Sequence, residues 1–120
     1  MPAAQHDILI EQGSLYTLNL VYKDSEGVPI DLTGWSARMQ IRQKHTSPDP
    51  ALISLSSVAG SIILGGALGT ISARITSDMS AALTIKTGVY DLELIPPSGE
   101  DDAFRLIEGA VTVSKEVTRS

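Results

Sequence analysis

Cysteine is absent from the 120 residues. A disulfide framework, thiolate metal sites and a cysteine nucleophile are therefore excluded together, and stability must come from packing. Aromatic rings are few: Tyr16, Tyr22, Trp35, Tyr90 and Phe104 make up the whole set. A carbohydrate site built on exposed rings is poorly supplied by so few, and Trp35 is expected to plug the core. The longest apolar stretch, Ser61 to Leu68, is glycine-broken and well short of the roughly 20 residues that a membrane helix needs. Nine Lys and Arg stand against fourteen Asp and Glu, for a formal net charge of -5. Phosphate backbones are held mainly through clustered cations, so no nucleic-acid partner is expected, although Arg38, Arg42 and Lys44 come closest to a basic patch. Met1 to Asp7 has no basic segment leading into an apolar one and does not read as a secretory signal. A soluble protein made in a cytoplasm, with no membrane partner, is the expectation.

The chain is rich instead in short alternating segments. Trp35, Ala37, Met39 and Ile41 fall on one face of a strand, with Ser36, Arg38, Gln40 and Arg42 on the other, the pattern of an antiparallel sheet packed on one side. Ser14 to Tyr22 places Tyr16, Leu18, Leu20 and Tyr22 opposite Thr17 and Asn19. Thr70 to Thr76 turns Ile71, Ala73 and Ile75 inward, and Val89 to Ile95 does the same with Tyr90, Leu92 and Leu94. Further strands are expected over His6 to Glu11, Ala51 to Ser57, Ser61 to Leu64 and Ala103 to Val117, the last with a bulge at Gly109. Pro29 cannot donate to a ladder, so Val28 to Thr33 should cross at an edge. Ser77-Asp78 can cap a short helical turn near residues 77–83. The whole predicts one all-β domain over residues 1–120, with residues 1–5 as a flexible N-terminal arm. Its architecture is an immunoglobulin-like antiparallel β-sandwich of about seven to nine strands, from turn signals every 8 to 12 residues.

Sites of chemistry are hard to assemble. Gly65, Gly66 and Gly69 lack a following Gly-Lys-Ser/Thr, so a hairpin turn is expected in place of a phosphate loop. His6 and His45 have no ligand spacing, and Asp24 with Glu26, or Glu100 with Asp101 and Asp102, lacks that of a calcium-binding hand. No Gly-x-Ser-x-Gly elbow is present. Asp91 and Glu93 share a strand face, as general acid and base would, but so does any polar row. Arg38 and Arg42 on a neighbouring strand make cross-strand ion pairs the plainer expectation. No catalytic, metal or cofactor residue is assigned. Edge strands offer free backbone groups to neighbours. The arm from Gln5 to Glu11, with Gln5 and His6 foremost, and the proline-stiffened loop of Lys44, His45, Thr46, Ser47, Pro48, Asp49 and Pro50 are the candidate partner contacts.

Five segments carry a resemblance: Ile8 to Gly13, Asp24 to Trp35, Ala37 to Arg42, Gly88 to Leu94 and Glu108 to Ser114. Their order resembles the small β-sandwich proteins of tailed bacteriophages and is similar to the N-terminal domain of baseplate upper proteins. The resemblance implies a virion structural protein without enzymatic activity, present in several copies. It would join tail or baseplate parts to receptor-binding appendages, with other virion proteins (tail, baseplate or fiber subunits) as partners. Any fiber segment would then lie on another polypeptide. A capsid decoration or cell-surface-binding module is the alternative on the same fold.

Overall fold

Alternation along Ser36–Arg42 sets the first rule of the architecture: Ala37, Met39 and Ile41 are buried, while the four polar residues that alternate with them face outward and are half-buried. In the computed structural model, which describes residues 3–117, this segment is strand β4. The others are β1 (Ala4–Gln5), β2 (Ile8–Glu11), β3 (Tyr16–Val21), β5 (Ile53–Ser56), β6 (Ile62–Leu64), β7 (Thr70–Ile75), β8 (Thr87–Ile95) and β9 (Phe104–Ser114). A short helix, α1 (Ser77–Ala81), joins β7 to β8.

The larger sheet runs β1-β9-β8-β4-β5, with β2 also on the outer side of β9, and the smaller runs β3-β7-β6. Their inner rows form one core, in which Ile10, Met39, Ile41, Leu55, Ile71, Ile75, Leu92 and Val111 are all but inaccessible. Each such aliphatic side chain contributes roughly 1.5–3 kcal/mol by leaving water. This is the immunoglobulin-like sandwich that the spacing predicts, without the disulfide that antibody domains carry between their sheets.

Several details depart from the sequence expectation. The first strands are parallel to their neighbour: Ala4 and Gln5 lie opposite Ile107 and Glu108, and Ile8 to Glu11 opposite Val111 to Ser114. Residues 4–5 of the expected flexible arm are thus paired, while Met1 and Pro2 lie outside the described residues. The bulge in β9 falls at Leu106, where the register against β8 slips between Leu92 and Glu93. Gly109 is regularly paired with Tyr90. The bulge restores inward parity, so that Ile107, Gly109, Val111 and Val113 form one row. Trp35 precedes β4 and does not plug the core; it is half-buried, edge-on to Phe104 and Tyr22 with ring centroids 6.1 and 6.5 Å away. Leu20 is likewise only half-buried.

The helix cap is Thr76, whose Oγ1 accepts the Met79 N–H at 3.3 Å; Ser77 and Asp78 are the first helical residues. A β-region residue with a hydroxyl directly before the first turn is a better cap than either residue inside it. Ser80, the one buried polar residue among those described, ties α1 to the β2–β3 turn. Its Oγ accepts the Gly13 N–H at 3.0 Å and lies 2.8 Å from the Ser14 carbonyl, to which it donates. Ser80→Ala orphans that N–H and should cost about 1–3 kcal/mol. Thermal melting should show a drop of several degrees, and an unchanged Tm would mean that water replaces the hydroxyl.

Candidate interaction surfaces

The outer face of the larger sheet carries charges in rows fixed by register. Arg38 lies opposite Glu93, itself opposite Arg105; Gln40 lies opposite Asp91, itself opposite Glu108. Arg38 meets Glu93 at 2.8 Å and Glu100 at 2.5 Å, and Arg105 meets Glu108 at 2.7 Å and Asp91 at 3.3 Å. The expected cross-strand pairing is present for Arg38 and Glu93. These pairs are largely exposed, so each is worth at most about 1 kcal/mol. Their effect is to hold the polar row of Asp91 and Glu93 in place. A shallow cleft of about 250 Å³ opens here, with Gln40, Arg42, His45, Asp91, Arg105 and Glu108 in its walls.

Burial pushes the Asp91 carboxyl above its ordinary range, and the Arg105 guanidinium only partly opposes this. A raised folded-state value means that the carboxyl favours folding below its unfolded value. That contribution is lost as pH rises through the folded one. Asp91→Asn should therefore melt above the parent at pH 7, with the gap closing near pH 3. A variant melting lower at pH 7 would put the Arg105 pair ahead of desolvation.

Arg42 leaves the sheet for the 44–50 loop. It reaches Asp49 at 2.5 Å and donates to the Ser47 carbonyl at 3.2 Å and to Gln40 Oε1 at 2.9 Å. Within the loop the Lys44 N–H donates to Ser47 Oγ and the Ser47 N–H returns to the Lys44 carbonyl, both at 3.0 Å. Lys44, His45, Thr46, Pro48, Asp49 and Pro50 are exposed and Ser47 is half-buried. The loop is a pinned projection, with two prolines restricting what Arg42 does not hold.

At the opposite edge, Gln5 and His6 sit against β9. The His6 N–H donates to the Glu108 carbonyl at 2.9 Å, and the Tyr90 hydroxyl donates to the His6 carbonyl. Asp7 Oδ1 accepts the Ala110 N–H at 2.9 Å and the Gln5 amide at 3.0 Å, and these two donors hold its carboxyl below the ordinary range. Asp7 thus stands in for a backbone carbonyl where the ladder along β9 is interrupted between β1 and β2. A side chain on Gly109 would strike the His6 carbonyl, so the arm can seat only over glycine. Neither Asp7 nor this role of Gly109 is foreseen from the sequence, since no local pattern links residue 7 to residue 110. Among the described residues no hydrogen bond or ion pair joins the arm to the 44–50 loop.

The remaining candidates are local turns. Asp24 Oδ1 accepts the N–H groups of Glu26 and Val28 at 2.9 and 3.0 Å, so it is turned toward its own backbone. Gly66–Leu68 form a single 3-10 turn closed by Gly69, and Glu100–Asp102 form another. Among the described residues no three His, Asp or Glu side chains are placed to hold a metal ion together.

No protein-family model and no curated protein matches this chain. A solved structure titled Tim-1 aligns over 100% of both chains at 14% identity and a TM-score of 0.44, a likeness too distant to carry an argument.

Proposed function

We propose that this chain is a non-enzymatic structural protein of a tailed-phage virion, an adaptor in the tail tip or baseplate that connects to receptor-binding appendages. The observation that carries the reading is where the resembling segments fall. Ile8 to Gly13, Ala37 to Arg42, Gly88 to Leu94 and Glu108 to Ser114 map to β2, β4, β8 and β9. These strands are neighbours in one sheet, in the order β2-β9-β8-β4. The fifth segment, Asp24 to Trp35, is the crossing that leads into β4, and the other four form a contiguous slab. Around it the sandwich leaves β5, β3 and β6 as free edges and the pinned 44–50 loop as a projection. A rigid slab with free edges suits a part that is held between neighbours.

The loop provides the test. Replacing residues 44–49 with a Gly/Ser linker of equal length should leave the domain folded, because none of these side chains lies in the core. Incorporation into particles, or binding to the tail partner, should fall at least tenfold, since a docking segment that is rigid beforehand has little entropy left to lose. Melting of the purified variant and electron microscopy of particles assembled with it measure the two halves. Normal incorporation would move the contact away from the loop, and failure of the parent chain to enter particles would overturn the reading itself.

A further inference from the structure

We propose that residues 4–7 form an exchangeable arm, and that the edge of β9 on which they lie is a docking surface for the same segment of a second copy of this chain. The occupant of this surface is visible, because the chain fills it with its own residues. The contacts are specific: the Glu108 carbonyl receives the His6 N–H, the Ala110 N–H is taken by Asp7, and Tyr90 fixes the His6 carbonyl above Gly109. They contribute almost nothing to the core, since Ala4, Gln5, His6 and Asp7 are all exposed. The core begins at Ile8, which is 4% exposed, and Ile10 is fully buried. The boundary between a detachable segment and a fixed one therefore falls between Asp7 and Ile8.

Lifting the arm breaks a few hydrogen bonds, one of them from the buried Tyr90, and exposes no apolar side chain of its own. It frees the Glu108 carbonyl, the Ala110 N–H and the Tyr90 hydroxyl, which can be satisfied again by an identical arm. An arm delivered by a neighbour makes the same bonds, so exchange between copies is nearly neutral apart from the advantage of the chain's own tether. That advantage corresponds to an effective concentration in the mM range for a short flexible tether. Copies held side by side reach the same regime. The inference goes beyond the virion reading and does not depend on it, because exchange is a property of the purified chain.

The absence of cysteine makes the test clean. Gln5 and Glu108 are register partners, so a disulfide between cysteines at these positions reports an arm seated on β9. Gln5→Cys and Glu108→Cys variants, carrying tags of different size, are mixed at about 1 mM, matching the effective concentration of the tether. They are then oxidised and resolved without reductant. Exchange predicts that the mixed 5–108 dimer exceeds both same-variant dimers by at least tenfold. It also predicts that Gly109→Val in the Glu108→Cys partner removes the excess, because the valine Cβ occupies the place of the His6 carbonyl. Asp7→Ala in the Gln5→Cys partner, which leaves the seat intact, should reduce the excess several-fold and serves if the valine variant fails to fold. Mixed dimers at only the statistical proportion, or an excess indifferent to these changes, would overturn the proposal.

Discussion

Leu92→Asp should abolish cooperative folding. Leu92 is fully buried in β8, opposite Met39 of β4 on one side and Ile107 of β9 on the other. The substitution loses roughly 1.5–3 kcal/mol of aliphatic burial. It also places a carboxylate among side chains that offer no hydrogen bond, at a cost of several kcal/mol even if the group stays protonated. Domains of this kind hold about 5–15 kcal/mol in total. Circular dichroism and thermal melting should show an unfolded or aggregated protein. Met39→Asp, on the next strand in the same layer, should behave alike. A soluble Leu92→Asp variant with a cooperative melt would mean that the inward face of β8 is wrongly assigned.

Gly69→Ala should be strongly destabilising. Gly69 ends the turn before β7 with φ +68, and an added Cβ would lie 2.8 Å from the Tyr22 carbonyl oxygen and 3.0 Å from that of Ile30. The Tyr22 oxygen already accepts the Ile30 N–H at 2.9 Å, and the Gly69 carbonyl accepts the Tyr22 N–H at 2.8 Å. Neither segment can retreat without losing its bonds. Left-handed strain of about 1–2 kcal/mol is therefore joined by a clash with backbone, for a total of about 3–5 kcal/mol. Gly60 is the matched control: it has φ +83 but open space where its Cβ would go. Gly60→Ala should cost only the strain, about 1–2 kcal/mol. Chemical denaturation of the pair separates the two contributions, and equal losses would show that Gly69 is not packed against the Tyr22 and Ile30 carbonyls.

Much of this fold was legible because a strand records its environment every second residue. Met39, Leu92, Ile71 and Val111 could be assigned to the core from alternation alone, and the Arg38–Glu93 pair followed once β4 and β8 were taken as neighbours. What could not be read depends on contacts between residues far apart in the chain. The parallel pairing of β1 and β2 with β9 spans about a hundred residues and leaves no local mark. Gly109 stood out in the sequence, yet a bulge and a close backbone approach both call for glycine, and only the position of His6 distinguishes them. The slip itself sits at Leu106, whose side chain says nothing of register. Alternation with Ala37, Met39 and Ile41 puts Trp35 inside, whereas its place just ahead of β4 leaves it edge-on to Tyr22 and Phe104 beside the core. Among the candidate contacts, proline spacing exposed the 44–50 loop, but the grip of Arg42 on Ser47 and Asp49 required the fold.

Localisation on the particle tests the proposed place of this sandwich in the tail most directly. Antibody against the purified domain, detected with gold on intact virions by electron microscopy, should mark the tail tip or baseplate and leave the head bare. Gold distributed over the capsid would contradict a tail adaptor and favour a decoration protein, and particles that carry no gold, with the antibody verified against the folded domain, would contradict an exposed place in the virion.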